Sequence, residues 1–192
     1  MGLAFESLSD NHVTPFWQVV AAEGKVQDPV FSFELKVNTN QSQANEMVPG
    51  GVFTLGTLDS QQYSGEITWM DLDSRYGSKG KGFWGIKMDA LSVNGQNINL
   101  GQHNLVAVDT GTTLIGAPES VVEAVYAQIP NAEPASSSTF GGQGYYVFPC
   151  SQKFEIAFTF GGKAFTLNQD DINIGQVDMG RETCGGALFV VD

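Results

Sequence analysis

Phe154, Ile156, Phe158 and Phe160 alternate with Glu155, Ala157 and Thr159, and the run stops at Gly161-Gly162. A period of two places the four large apolar side chains on one face of a strand, and the glycine pair supplies a hairpin turn. The same alternation runs through Phe31, Phe33, Leu35 and Val37, between Ser32, Glu34 and Lys36. Val93-Asn94-Gly95-Gln96 reads as a second hairpin, because Asn-Gly takes the positive φ angles of a type I′ turn. With 23 Gly and 13 Phe in 192 residues, short strands joined by tight turns are expected throughout. The fold class is therefore all-β with a few short helices.

Two helices interrupt this pattern. Thr14 is placed to cap the first, Pro15 fits its first turn, Trp17, Val20 and Ala21 form its apolar face, and Gly24 stops it. Pro118 and Glu119 open the second, with Val121, Val122, Val125 and Ile129 on its apolar face and Pro130 ending it. A further strand-like run carries Ile67, Trp69 and Leu72, and residues 83–93 read as one long strand or a bent pair. Residues 41–49, 74–81 and 132–144 are polar or Gly/Ser-rich loops. Trp17, Trp69 and Trp84 are expected in the core rather than in a sugar-stacking row.

The formal net charge is −12, from 9 Lys and Arg against 21 Asp and Glu. A chain so poor in cations lacks the basic face that nucleic acid or an anionic membrane requires. No run is apolar enough to span a bilayer. Asp71 and Asp73 resemble half of a calcium loop, but the later Gly and Glu do not follow. His12 and His103 are expected at the surface, and Asp170-Asp171 as a solvated turn. No metal and no cofactor are expected. Cys150 and Cys184 lack zinc spacing, and their positions alone leave two buried thiols or one bridge open. Asn40-Gln41-Ser42 is a glycosylation sequon, consistent with secretion.

The stretch richest in chemistry is Val106-Ala107-Val108-Asp109-Thr110-Gly111-Thr112-Thr113. An apolar strand runs into an Asp, a residue that strands disfavour. Hydroxyl and amide donors surround it, so the carboxylate is expected to stay ionised in a poorly solvated place.

Around Asp109 the chain resembles the C-terminal lobe of the pepsin-like aspartic proteases, of the secreted fungal kind. Met1-Gly2-Leu3-Ala4 is similar to the family's hydrophobic-Gly segment, and Thr14-Pro15-Phe16 to the opening of a shared helix. Gly50-Gly51-Val52-Phe53-Thr54-Leu55-Gly56-Thr57-Leu58-Asp59 resembles its glycine-rich hairpin, and Tyr63-Ser64-Gly65-Glu66-Ile67 its run between lobes. Phe83-Trp84-Gly85-Ile86 and Val108-Asp109-Thr110-Gly111-Thr112 complete the match.

The resemblance implies a bilobal β fold, with residues 1–70 as the end of the N-terminal lobe plus the inter-lobe segment. Residues 71–192 would be the C-terminal lobe, truncated before its last strands. It implies an endopeptidase working in acid, in which two Asp residues, one per lobe, share a proton and activate a water. Asp109 would be one of them. Thr110 would tie the lobes together, Gly111 would allow close approach, and Thr112 would donate a hydrogen bond to Asp109. Thr113 and Phe83 would line substrate subsites. Cys150 and Cys184 would form the lobe's disulfide.

Peptide or protein substrates, pepstatin-like inhibitors of the full enzyme, and a missing N-terminal lobe are the implied partners. The implied location is secreted and extracellular, or vacuolar. Asp109-Thr110-Gly111 is the only motif of its kind in the sequence. An incomplete chain, cut at both ends and inactive by itself, is therefore expected. The alternative is a catalytically inactive pepsin-fold binding or inhibitor protein.

Overall fold

A computed structural model describes residues 2–36, 49–75, 82–136, 142–177 and 182–191. The Asn40 sequon and most of the 41–49 and 74–81 loops lie outside these residues. The chain divides into two compact units, Met1–Ile67 with Gly80–Gly82, and Thr68–Lys79 with Phe83–Asp192.

The first unit contains a 3-10 turn at Glu6–Leu8, helix α1 (Phe16–Ala22), and strands β1 (Phe31–Leu35) and β2 (Gly51–Leu55). The alternation in β1 becomes an antiparallel pair with Phe33 opposite Phe53 and Phe31 opposite Leu55. Phe31, Phe33, Leu35, Phe53 and Leu55 therefore share one face, since side chains on a strand alternate sides.

Helix α1 begins differently from expectation. Pro15 occupies the cap position with no side-chain cap. The Thr14 hydroxyl instead donates to the Glu6 carboxylate at 2.8 Å, which takes it away from the helix amides. Gly24, at φ 63°, does stop the helix. Trp17 joins the unit together: its indole N–H donates to the Ala4 carbonyl at 3.1 Å. Its ring lies 5.4 Å from Phe5 and 5.9 Å from Phe31. Among the described residues of this unit, only Gly56 and Gly82 are buried. Leu35 is 63% exposed and Phe33 38%, so the described residues leave much of the hairpin's apolar face uncovered.

In the second unit the strands are β3 (Gly85–Lys87), β4 (Ala90–Val93), β5 (Gln96–Asn97), β6 (Leu105–Ala107) and β7 (Ile115–Ala117). They continue with β8 (Glu133–Pro134), β9 (Tyr146–Pro149), β10 (Glu155–Phe160), β11 (Lys163–Asn168), β12 (Asn173–Gln176), β13 (Thr183–Gly186) and β14 (Leu188–Val190). Helix α2 (Glu119–Tyr126) lies between β7 and β8, and helix α3 (Gln169–Ile172) between β11 and β12. The sheets are β11-β10-β4-β5 and β12-β13-β9-β8, with two-stranded pairs β3-β6 and β7-β14. The last pair is parallel, Leu188 facing Ile115 and Val190 facing Ala117. All other ladders among the described residues are antiparallel. This is the mostly β fold with a few short helices that the alternation predicts.

Both predicted hairpin turns form. Asn94 and Gly95 take φ angles of 50° and 77° between β4 and β5, and Gly161 and Gly162 take 56° and 76° between β10 and β11. Residues 83–93 form the bent pair, β3 then β4. The Ile67–Leu72 run forms no strand ladder among the described residues, and Trp69 is 69% exposed. Its expected place in the core is thus corrected, while Trp17 and Trp84 are half-buried.

The core gathers Leu91 and Val93 from β4, Ile156 from β10, Phe148 from β9, Val122, Val125 and Tyr126 from α2, Ile172 from α3 and Leu188 from β14. Each such side chain contributes about 1.5–3 kcal/mol of transfer free energy as an upper estimate. Helix α2 stops at Tyr126, short of Pro130, but Ile129 still packs in the core from the turn that follows. Asp170-Asp171 is not a plain turn. Asn168 Oδ1 accepts from the Asp170 N–H at 2.8 Å and the Asp171 carboxylate accepts from the Asn168 N–H at 2.9 Å. That reciprocal capping box starts α3, a signal the sequence carries three residues apart.

Cys150 and Cys184 are bridged, with Cα atoms 5.0 Å apart. The ladder that sets Cys184 opposite Phe148 and Thr183 opposite Pro149 brings them together. Gln169, a buried polar side chain, donates to the Cys150 carbonyl at 3.1 Å and accepts from Lys153 Nζ at 3.0 Å. Nothing in the local pattern marks that residue as buried.

Candidate functional site

Strand β6 sets the direction of the Asp109 turn. It pairs with β3, Ala107 opposite Gly85, and the ladder is prolonged by Val108 N–H donating to the Trp84 carbonyl at 3.0 Å. The chain then leaves the ladder, turns through Asp109–Thr113 and re-enters regular structure at β7, which β14 holds. Two short anchors, β6 and β7, thus suspend the turn.

Within it, Asp109 Oδ1 accepts from the Gly111 N–H at 2.8 Å, and Oδ2 accepts from the Thr112 hydroxyl at 2.6 Å. Both oxygens of the carboxylate are therefore engaged. A Cβ on Gly111 would stand 3.1 Å from Asp109 Oδ1, a tight approach that the absence of a side chain relieves. The Thr112 hydroxyl, followed by the Gly111 amide, holds the Asp109 carboxyl below its ordinary value of 3.8. Donors to the anion favour the charged form, and slight desolvation opposes them weakly.

The sequence places Asp109 in a poorly solvated position; the structure does not. Asp109, Thr110, Gly111, Thr112 and Thr113 are all exposed, as is Val108 before them at 53%. The anion is kept by its donors rather than by burial. Phe83, on the segment paired with Val108, is exposed at 42%. The structure brings Asp109, Gly111 and Thr112 into direct contact, and Thr110, Thr113 and Phe83 are exposed.

Removing the Thr112 hydroxyl (Thr112→Ala) is expected to raise the Asp109 midpoint toward 3.8. A carboxyl-carbon NMR titration reads it, and an unmoved midpoint would contradict the hydrogen bond. Because the folded-state value is depressed, its stabilising contribution is present above the ordinary carboxyl range and vanishes as pH falls through the folded value. Thr112→Ala should therefore cost stability near neutrality and none in strong acid.

Elsewhere, Arg75 grips Asp73 with Nε at 2.8 Å and a terminal guanidinium nitrogen at 3.0 Å, drawing that carboxyl down to about 2. Asp73 is thus an ion-pair partner on the strand edge beside Gly85. His12 and His103 are exposed. Among the described residues, no group of three or more His, Cys, Asp or Glu is placed to hold a metal ion. A shallow cleft of about 340 Å³ is lined by Asn94, Lys153, Phe154, Glu155, Asn168, Gln169 and Asp170, and includes no residue of the Asp109 turn. It is a seam between the β4–β5 hairpin and α3, and the mixed charges around it converge on no single chemistry.

The family model described as eukaryotic aspartyl protease matches residues 1–191. Major aspartyl peptidase 1 of Cryptococcus neoformans is 32% identical over 100% of this chain, which covers 40% of that protein. An aspartic protease of Phaffia rhodozyma is 33% identical over 97% of the chain, 42% of its own length. Penicillopepsin-3 of Penicillium janthinellum is 32% identical over 98% of the chain, 43% of its own length. The chain thus spans about two fifths of the length of these curated relatives. A match over nearly every residue, on a mostly β fold with an Asp-Thr-Gly turn at the end of a short strand, places this chain in the eukaryotic aspartyl protease family.

Proposed function

We propose that this chain supplies one of the two catalytic carboxylates, Asp109, of an acid endopeptidase. The observation that carries the reading is the Asp109 turn: an exposed carboxylate with both oxygens held by Thr112 and Gly111. An anion that is fixed in place and also open to a reactant suits a group that must take a proton from water.

In this reading the partner carboxylate belongs to a lobe encoded outside these residues. The two would share a proton across a cleft, because like charges at close range do not both ionise readily. One carboxylate takes a proton from the attacking water while the other, protonated, supports the scissile carbonyl. The pair titrates as a unit. Gly111 leaves room for backbone and substrate, Thr112 keeps Asp109 anionic, Thr110 ties the two lobes together, and Thr113 and Phe83 line the subsites. The substrate is an extended peptide or protein, pepstatin-like compounds would inhibit the assembled enzyme, and the working location is extracellular.

Residues 1–70 would be the end of the N-terminal lobe with the inter-lobe segment, and residues 71–192 the C-terminal lobe. That only two glycines are buried among the described residues of the first unit supports that division. A lone two-stranded hairpin is marginal in water, and this one leaves Leu35 and Phe33 largely uncovered.

The test compares the 192-residue chain with the full-length parent protein in an acid peptidase assay. Pepstatin-sensitive cleavage by the parent and none by the chain is expected. Cleavage by the chain alone, or a folded parent that binds pepstatin without cutting, would overturn the proposal.

A further inference from the structure

We propose that Tyr126 is a positioning residue for the Asp109 turn, acting through β14 and β7. Its hydroxyl donates to the Leu188 carbonyl at 3.0 Å, across 62 positions of sequence. The edges of β14 explain why that bond matters. In a parallel ladder, alternate residues of a strand bond to the same neighbour. Ile115 N–H donates to the Ala187 carbonyl, and Val191 N–H to the Ala117 carbonyl, so residues 187 and 191 turn their polar groups toward β7. The groups of Leu188 and Val190 then face the other way. There the Val190 N–H donates to the Gly144 carbonyl, and the Leu188 carbonyl has the Tyr126 hydroxyl. A side chain thus stands where a third strand would otherwise supply the donor.

The placement of that hydroxyl is tightly determined. Tyr126 is 1% exposed, on the last turn of α2. Its ring stacks on Tyr146 of β9 with centroids 4.4 Å apart and planes 3° from parallel. A Cβ on Gly186 would collide with the hydroxyl and the ring, so only glycine fits there. Burial pushes the hydroxyl far above the usual phenol range, and it remains a donor at any working pH. Only one residue, Leu114, separates Thr113 from β7. A shift of β7 along or away from β14 therefore moves the Thr112 hydroxyl against Asp109.

The proposal takes Asp109 as a catalytic carboxylate, the reading given above, but its first test needs no turnover. The Asp109 carboxyl is titrated by NMR in the 192-residue chain and in Thr112→Ala, Tyr126→Phe and Tyr146→Leu. Thr112→Ala should raise the midpoint. Tyr126→Phe, which keeps the ring and removes only the hydroxyl, should raise it part of the same way. In the full-length parent it should lower kcat about tenfold with KM little changed, as expected for a small misplacement of a reacting group.

A folded Tyr126→Phe with a lowered Tm but an unmoved Asp109 midpoint would reduce Tyr126 to a packing residue and overturn the inference. Should that variant fail to fold, Tyr146→Leu decides. It removes the ring that fixes the Tyr126 hydroxyl against the Leu188 carbonyl and should raise the midpoint by a smaller step, so an unmoved midpoint there is equally fatal. An unmoved midpoint in Thr112→Ala would remove the hydrogen-bonded Asp109 on which both readings stand. An inactive wild-type parent with the expected midpoints would count against the function alone.

Discussion

Replacing Asp109 with Asn in the full-length parent protein should lower kcat/KM for a peptide substrate by about 10⁴-fold, the upper range for loss of a general acid–base group. An amide neither accepts the proton of an attacking water nor shares one with a partner carboxylate, so the fall should appear in kcat with KM near its wild-type value. The fold should survive. Asp109 is exposed, and its turn is anchored at both ends by ladders that the substitution does not touch. The Asn carbonyl can still accept from the Gly111 N–H. Steady-state kinetics beside a thermal melt separate the outcomes. A variant within tenfold of wild type would remove Asp109 from the chemistry, and a large drop in Tm would make the kinetic loss uninformative about mechanism.

The largest effect on stability should come from opening the disulfide. Cys150 and Cys184 enclose a separation of 34 residues, a loop worth roughly 3–4 kcal/mol in the chain-entropy model. That loop contains β10, β11, α3 and β12, so the bridge restrains four elements in the unfolded chain. A Cys150→Ala, Cys184→Ala double variant should melt about 10 °C below the oxidised protein. Cys184 is 3% exposed, and alanine there avoids the unpaired hydroxyl that serine would bury. Differential scanning calorimetry at equal protein concentration reads the difference. A loss under about 2 °C would mean that the β9–β13 ladder alone holds these segments.

Legibility in the sequence followed how local each signal was. The first strand and the turn of the β10–β11 hairpin are readable: four apolar residues at period two specify β10, and a glycine pair specifies the turn after it. Asn94-Gly95 is readable for the same reason. Helix α1 is legible in the sequence, but its cap is not, because the partner of Thr14 is Glu6, eight residues away. Residue type alone points Trp69 to the core, yet its burial depends on which segments cover it, and it is 69% exposed. The Asp109 turn is legible as a motif, and the family resemblance points to the Thr112 donor, whereas the Gly111 amide as the second donor emerges only from the turn's geometry. Its solvation is not legible, since exposure is decided by packing around the turn. Tyr126 gave no functional signal, because its hydroxyl meets a carbonyl 62 positions away. Such a pairing leaves no periodic trace.

The parallel pairing of β7 with β14 also sets an order of assembly. A hairpin closes as soon as its second strand is made, whereas a parallel pair waits for a distant one, and long-range pairing is slow. β14 is the last strand in the described chain. During synthesis, β3 and β6 can meet early, while β7, α2 and the Tyr126 hydroxyl wait for residues 188–190 to emerge. The turn carrying Asp109 is thus framed on one side well before the other. A nascent chain stalled before residue 188 would present the motif in sequence without its geometry.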